Sequence, residues 1–280
     1  MNQNIWERLQ KIDPRIIYAL LLVSIVIPLF LNLSLPIIPS QQSEEFYETV
    51  QGLPLNKLVI VDGWWSPSTR GENAWQAQAI LIHLMQRHLH FAILSFDPKN
   101  NSLTQQIVDR WAQKYGYVYG RDYVNWGYRP GTVFSQTIKG LNQSIPVTIK
   151  TDYQGKPIAN FPVMQGIKNY SNIGAIVEIT PSGTVDGWIG LAPVGNGVGK
   201  IPLLFAPTAV MAPTYYPYID SGQIAGMLTG IKGAGDYEQM IGVHAFGTRA
   251  TGALSLVYAL LIIFIILGNV GYYATRRRGE

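Results

Sequence analysis

Two stretches of the chain have no polar rhythm at all. Ile16 to Ile38 (IIYALLLVSIVIPLFLNLSLPII) and Thr251 to Tyr273 (TGALSLVYALLIIFIILGNVGYY) contain no charged residue. At 1.5 Å rise per residue, each can cross a hydrocarbon core of about 30 Å as a helix. Pro28 sits inside the first and predicts a kink rather than a break. Tyr272 and Tyr273 close the second where an interfacial aromatic belt belongs. The first run exceeds the apolar core of a signal peptide and no small-x-small cleavage site follows it, which predicts an uncleaved anchor.

Between these runs the pattern changes to short apolar blocks alternating with helical stripes. KLVIVDG (57–63), LHFAILSF (89–96), GAIVEIT (174–180) and KIPLLFA (200–206) are apolar on both faces, as buried parallel strands are. YVNW (123–126) predicts a further strand. Ala74, Ala77, Leu81, Leu84, Met85 and His88 fall on one stripe of a helix over 73–88. Leu103, Ile107, Trp111 and Tyr115 do the same over 102–115, with Ser102 as the expected N-cap. Residues 132–141 predict another helix, 39–56 a short helix or stalk, and TVDGWIG (184–190) a loose turn or short helix. Residues 145–171 are poorly periodic and read as a hairpin or an excursion. Strands alternating with helices predict an α/β fold: a doubly wound, mainly parallel sheet, Rossmann-like or flavodoxin-like, between two transmembrane helices.

Five segments follow: a tail (1–15), a span (16–38), an α/β domain (39–250), a second span (251–273) and a basic tail (274–280). Arg8, Lys11 and Arg15 flank the first span, and Arg276, Arg277 and Arg278 the second, whereas only Lys57 and Arg249 approach from the other side. The positive-inside rule therefore predicts a two-pass protein of the cell membrane, with both termini cytoplasmic and the central domain extracytoplasmic. Charged residues are only 14% of the chain, against about 25% for soluble domains, which agrees with membrane segments. With the tails set aside, 15 positives face 14 negatives, so no nucleic-acid footprint remains. The expected partners are membrane lipid and a homo-oligomer or membrane protein complex.

The absence of cysteine excludes disulfides and thiolate chemistry. Nor is a cofactor or metal expected. GNGVGK (195–200) lacks the first glycine of a phosphate loop, because Val194 stands there. Ile201 replaces the Ser or Thr, and the motif precedes a strand instead of following one. His83, His88, His90 and His244 form no metal-binding pair, and no Gly-x-Ser-x-Gly elbow occurs, so no catalytic residue is assigned.

Ligands of open α/β sheets bind outside the carboxyl ends of the strands. Loops 62–73, 97–102 and 127–132 leave such ends and carry Asp62, Trp64, Trp65, Arg70, Glu72, Asp97 and Arg129. Arg70 and Arg129 suit a carboxylate or phosphate, and Trp64 or Trp65 a ring or sugar. The same residues have ordinary roles: Asp62 and Asp97 cap loops, Glu72 and Asn73 suit a helix start, and the tryptophans pack. In DSGQIAGMLTGIKGAGDYEQMIG (220–242), Gly222, Gly226, Gly230 and Ala234 recur every four residues, beside Ala225, Thr229 and Gly233. This spacing predicts a close-packing helix from Asp220 or Ser221 to Met240, set against the domain's own sheet, another subunit or the first membrane helix. APTAVMAPTYYPYIDSG upstream reads as a rigid, aromatic surface segment. The sum is a membrane-anchored assembly or scaffold protein; the alternative is a ligand-binding domain, hydrolase or transferase using the strand-end loops.

Overall fold

A computed structural model describes residues 12–30 and 38–276. In chain order the helices and strands are α1 (Pro14–Phe30), α2 (Gln41–Gln51), β1 (Leu58–Gly63), α3 (Arg70–Gln86), β2 (Phe91–Ser95), α4 (Pro98–Tyr115) and β3 (Tyr123–Tyr128). Then come α5 (Phe134–Gln143), the single turn α6 (Ile145–Thr148), β4 (Ile173–Thr180), α7 (Val185–Leu191), β5 (Leu203–Pro207), α8 (Ala212–Asp220), β6 (Gly226–Met227), α9 (Gly230–Met240) and α10 (Phe246–Arg276).

All six strands are parallel, in the order β3-β2-β1-β4-β5-β6. This is the doubly wound, Rossmann-like order, and the direction of winding reverses between β1 and β4. Every residue of β1, β2, β4 and β5 is buried, which is why their sequences read as apolar runs without alternation. Val59, Val61, Val177 and Ile179 face a core built with α2, α3, α4 and α9. Leu58, Ile60, Ile176, Leu203 and Phe205 face a second core built with α5, α7 and α8. The poorly periodic 145–171 region covers part of the second core through Ile149, Ile158, Val163 and Met164. Its one antiparallel bridge, Thr151 to Pro157, is the remnant of a hairpin.

Two expectations are corrected. The helix after β2 starts at Pro98, not Ser102: Asp97 Oδ1 accepts from Lys99 N (2.8 Å) and Asn100 N (2.9 Å), and proline is at home in the first helical turn. The continuous helix over 220–240 does not form. Gly222 (φ +72°) and Gly230 (φ +55°) are left-handed, a conformation no helix interior accepts. Gly226 instead joins the two-residue edge strand beside β5. A Cβ there would lie 2.5 Å from Phe46 Cα of α2, so the glycine serves a strand-to-helix contact. Gly230 opens α9, and only Ala234 of the four lies in its interior, fully buried. The proline- and tyrosine-rich segment does lie at the surface: from Ala212 on it forms helix α8, which buries Ala212 and Tyr215 and leaves Pro213, Thr214, Tyr216 and Pro217 exposed.

Among the described residues one helix, Phe246–Thr275, is long and apolar enough to cross a membrane, with a mean hydropathy of 2.6 over its best window. It begins before Thr251 because its first turns belong to the domain: Thr248, Thr251 and Ala253 are buried. The α1 helix is apolar but has 17 residues; it packs against α10, and residues 31–37 of the expected first span lie outside the described residues.

Candidate functional site

At the point where the winding reverses, β1 and β4 run side by side with Asp62 directly opposite Glu178. Partners in a parallel ladder point to the same face. Here that face is the second core, because Ile60 and Ile176, two residues earlier, lie in it. Both carboxyls are fully buried. Asp62 Oδ2 accepts from Trp188 Nε1 of α7 (2.9 Å) and Trp64 Nε1 (3.2 Å). Glu178 Oε1 accepts from Thr184 Oγ1, which also reaches Thr180 Oγ1 at 3.1 Å. The other two oxygens, Asp62 Oδ1 and Glu178 Oε2, have no partner. Trp64, Phe96 and Phe134 pack edge to face and stacked, with ring centroids 4.7–5.3 Å apart, and Trp188 abuts Phe134 at 6.3 Å. This wall occupies the strand-end crevice.

Burial in these rings pushes the Asp62 carboxyl up to about 7, despite the two indole donors. Burial, then the neighbouring Asp62, raises Glu178 well above the carboxylate range. Two acids in a dry site cannot both ionise without large cost, so each opposes ionisation of the other.

The remaining expected site residues divide by face. Trp65 is buried on the opposite side of β1, in the first core, with its Nε1 2.7 Å from the Asn100 side-chain oxygen in the amide orientation that satisfies both groups. Arg70 is exposed and borders a shallow cleft with Trp75, Gln78 and Arg110. Glu72 Oε2 accepts from Ala209 N (2.8 Å), tying α3 to the chain after β5. Asp97 caps α4. Arg129 Nη2 donates to Trp126 O (3.2 Å) and Thr151 O (3.1 Å), anchoring the irregular segment. The structure thus brings Asp62 and Trp64 together, and separates Arg70 from Arg129's carbonyl partners. Glu178, Thr184 and Trp188 were not among the expected residues, although a glutamate inside the apolar run GAIVEIT is the same signal as Asp62 in KLVIVDG.

A second constellation lies where the domain meets its apolar helices. Glu238 of α9 is buried and caps α10. Its Oε2 accepts from Thr248 N (2.7 Å), Thr248 Oγ1 (2.9 Å) and Ala245 N (3.2 Å), and its Oε1 from Gly247 N (3.1 Å). The open amides and dipole of a helix start favour such a carboxylate. Two residues earlier, Asp236 Oδ2 accepts from Ser40 N (3.1 Å), Ser43 Oγ (3.2 Å) and Lys232 Nζ (2.7 Å), while Lys232 Nζ also reaches Ile38 O at 3.0 Å. Gly235 and Gly247 let α9 and α10 cross in contact; a Cβ on Gly235 would lie 2.8 Å from Gly247 O. One helix therefore grips both connections to the apolar helices. His83 supports it from α3, with Nδ1 2.7 Å from Tyr237 OH; burial and then Arg87 lower its pKa to about 4.

Among the described residues no group of three or more His, Cys, Asp or Glu is placed to hold a metal ion. A groove of about 600 Å³ lies by the β6 edge, lined by Gln41, Glu45, Glu48 and Asp220 among others, away from the strand-end loops. No family model, curated protein or solved structure matches the chain.

Proposed function

We propose that the chain is a membrane-anchored contact protein: two spans, both termini cytoplasmic, and an extracytoplasmic α/β domain that associates with its own copies or a larger membrane complex. The observation that carries this reading is the α9 junction. A helix that holds Ile38, Ser40 and Ser43 on one side and Ala245 to Thr248 on the other fixes the domain's orientation on its anchors. Fixed orientation favours assembly, because only a domain that cannot tumble presents the same surface to every neighbour. The filled crevice at the strand ends supports contact over open-cleft chemistry. Mild detergent extraction of the full chain, followed by mass photometry, should give one defined oligomer or complex. A clean monomer with no co-purifying protein would overturn the reading. Topology is tested separately: in this cysteine-free chain, Val198→Cys, at a fully exposed site, should react with an impermeant maleimide added outside intact cells.

One observation favours a second reading, a ligand-binding domain, hydrolase or transferase working at the strand ends: the acid pair stands where such folds place their ligands. In that case Asp62→Ala should abolish a ligand-induced rise in melting temperature while leaving the apo protein folded.

A further inference from the structure

The contact function has no use for the Asp62–Glu178 pair, and a fold does not keep two buried acids side by side for stability. Each carboxyl has one oxygen with a donor and one without. The two carboxyls stand on paired residues of adjacent strands, and a proton held on either acid removes one buried charge and turns a bare oxygen into a donor. We propose that this pair is a proton-binding site that holds the strand-end crevice shut, and that release of its proton loosens α7 from the sheet.

Helix α7 is the movable part. It has seven residues, with Gly187 and Gly190 inside it and Gly183 just before its N-cap. Gly187 is required where Phe134 packs against it. The side chain at its N-cap, Thr184, makes no capping bond to the helix and goes to Glu178 instead. Trp188 of the same helix goes to Asp62. Trp188 and Thr184 thus tie α7 and its N-cap to the acid pair, with Thr184 Oγ1 also 3.1 Å from Thr180 Oγ1 of β4. The other titratable groups that bear on the pair are acids as well: Asp186 on α7, and Tyr215 on α8, whose hydroxyl bonds Asp186. The rings of Trp64 and Phe134 close the remaining sides without charge. When the pair's proton leaves, two adjacent negative charges face only two indole N–H groups and one hydroxyl. Buried charge in that state draws in water, and the cover that yields is the short glycine-punctuated helix.

The test uses the full chain in lipid nanodiscs between pH 5 and pH 9. Infrared difference spectra of the wild-type protein should show the carbonyl stretch of a protonated carboxylic acid that disappears as pH rises through neutrality. The double variant Asp62→Asn/Glu178→Gln should remove that band. Hydrogen exchange over residues 184–191, corrected for its intrinsic pH dependence, should show protection falling about tenfold or more across the same range in wild type and staying flat in the double variant. The proposal is overturned if wild type shows no such band below neutral pH, or if wild type and the double variant share one exchange profile at α7. The infrared result stands on wild type alone, so it decides even where a variant does not fold.

Discussion

Two buried acid sites in this domain solve the same problem in opposite ways. Glu238 is surrounded by donors: three backbone amides and a hydroxyl meet its two oxygens. Asp62 and Glu178 share three donors from side chains and leave two oxygens bare. A fully bonded carboxylate holds its surroundings in one geometry, whereas a half-bonded pair has a second state within reach. The first site is at the junction with the apolar helices and the second at the carboxyl ends of β1 and β4. Rigidity and responsiveness are thus allotted to different regions of one fold.

The comparison breaks first at the α9–α10 crossing. Gly235→Leu forces a side chain into Gly247 and Thr251 and should destabilise the full chain by about 3 kcal/mol, read as a lower melting temperature in detergent; an unchanged value would mean the crossing is slack. Glu238→Ala leaves the amides of Ala245, Gly247 and Thr248 without their acceptor and should cost about 2 kcal/mol, with hydrogen exchange rising over 245–250. Glu238→Gln, which keeps one acceptor, should cost less.

The acid pair predicts a pH slope instead. The unfolded chain releases the Asp62 proton near 3.8 and the folded chain near 7. Its contribution is therefore whole below about pH 3.8 and is lost as pH rises to about 7. His83 works the other way: its folded pKa near 4 lies below 6.5, so stability falls as pH drops from about 6.5 to 4. The two limbs oppose each other in between, and Asp62→Asn separates them. The stability difference between variant and wild type should move in the variant's favour by about 1 kcal/mol per pH unit from about pH 4 to 7; parallel denaturation curves at every pH would remove the pair's proton from the account. Smaller effects sharpen the contrast. Asp97→Ala removes a partly exposed cap and should cost about 1 kcal/mol. Arg70→Ala should stay within about 0.5 kcal/mol, because its side chain is exposed.

The strands were legible because burial on both faces writes itself as an unbroken apolar run. The edge strand β6 was not. Two residues carry no period, and the four-residue spacing of Gly222, Gly226 and Gly230 imitates a helix. The left-handed turns and the approach of Phe46 that decide otherwise are set by distant parts of the chain. Asp62 was legible as an acid closing a strand, and its ordinary alternative, a loop cap, proved to be Asp97's role alone. The pairing with Glu178 depends on strand register, which no local pattern encodes. Arg129 looked like an anion clamp, yet the carbonyls that occupy it come from a turn whose position follows only from the folded core.

The grip of Asp236 on Ser40 joins positions 196 residues apart. At roughly 5–20 residues per second, a ribosome makes the second about ten to forty seconds after the first. Throughout that interval the segment after α1 waits without its latch, and the closing helix is followed at once by α10. All six strands are thus synthesised before α1 and α10 can meet, and the contact between Asp236 and Ser40 is among the last that the chain can close.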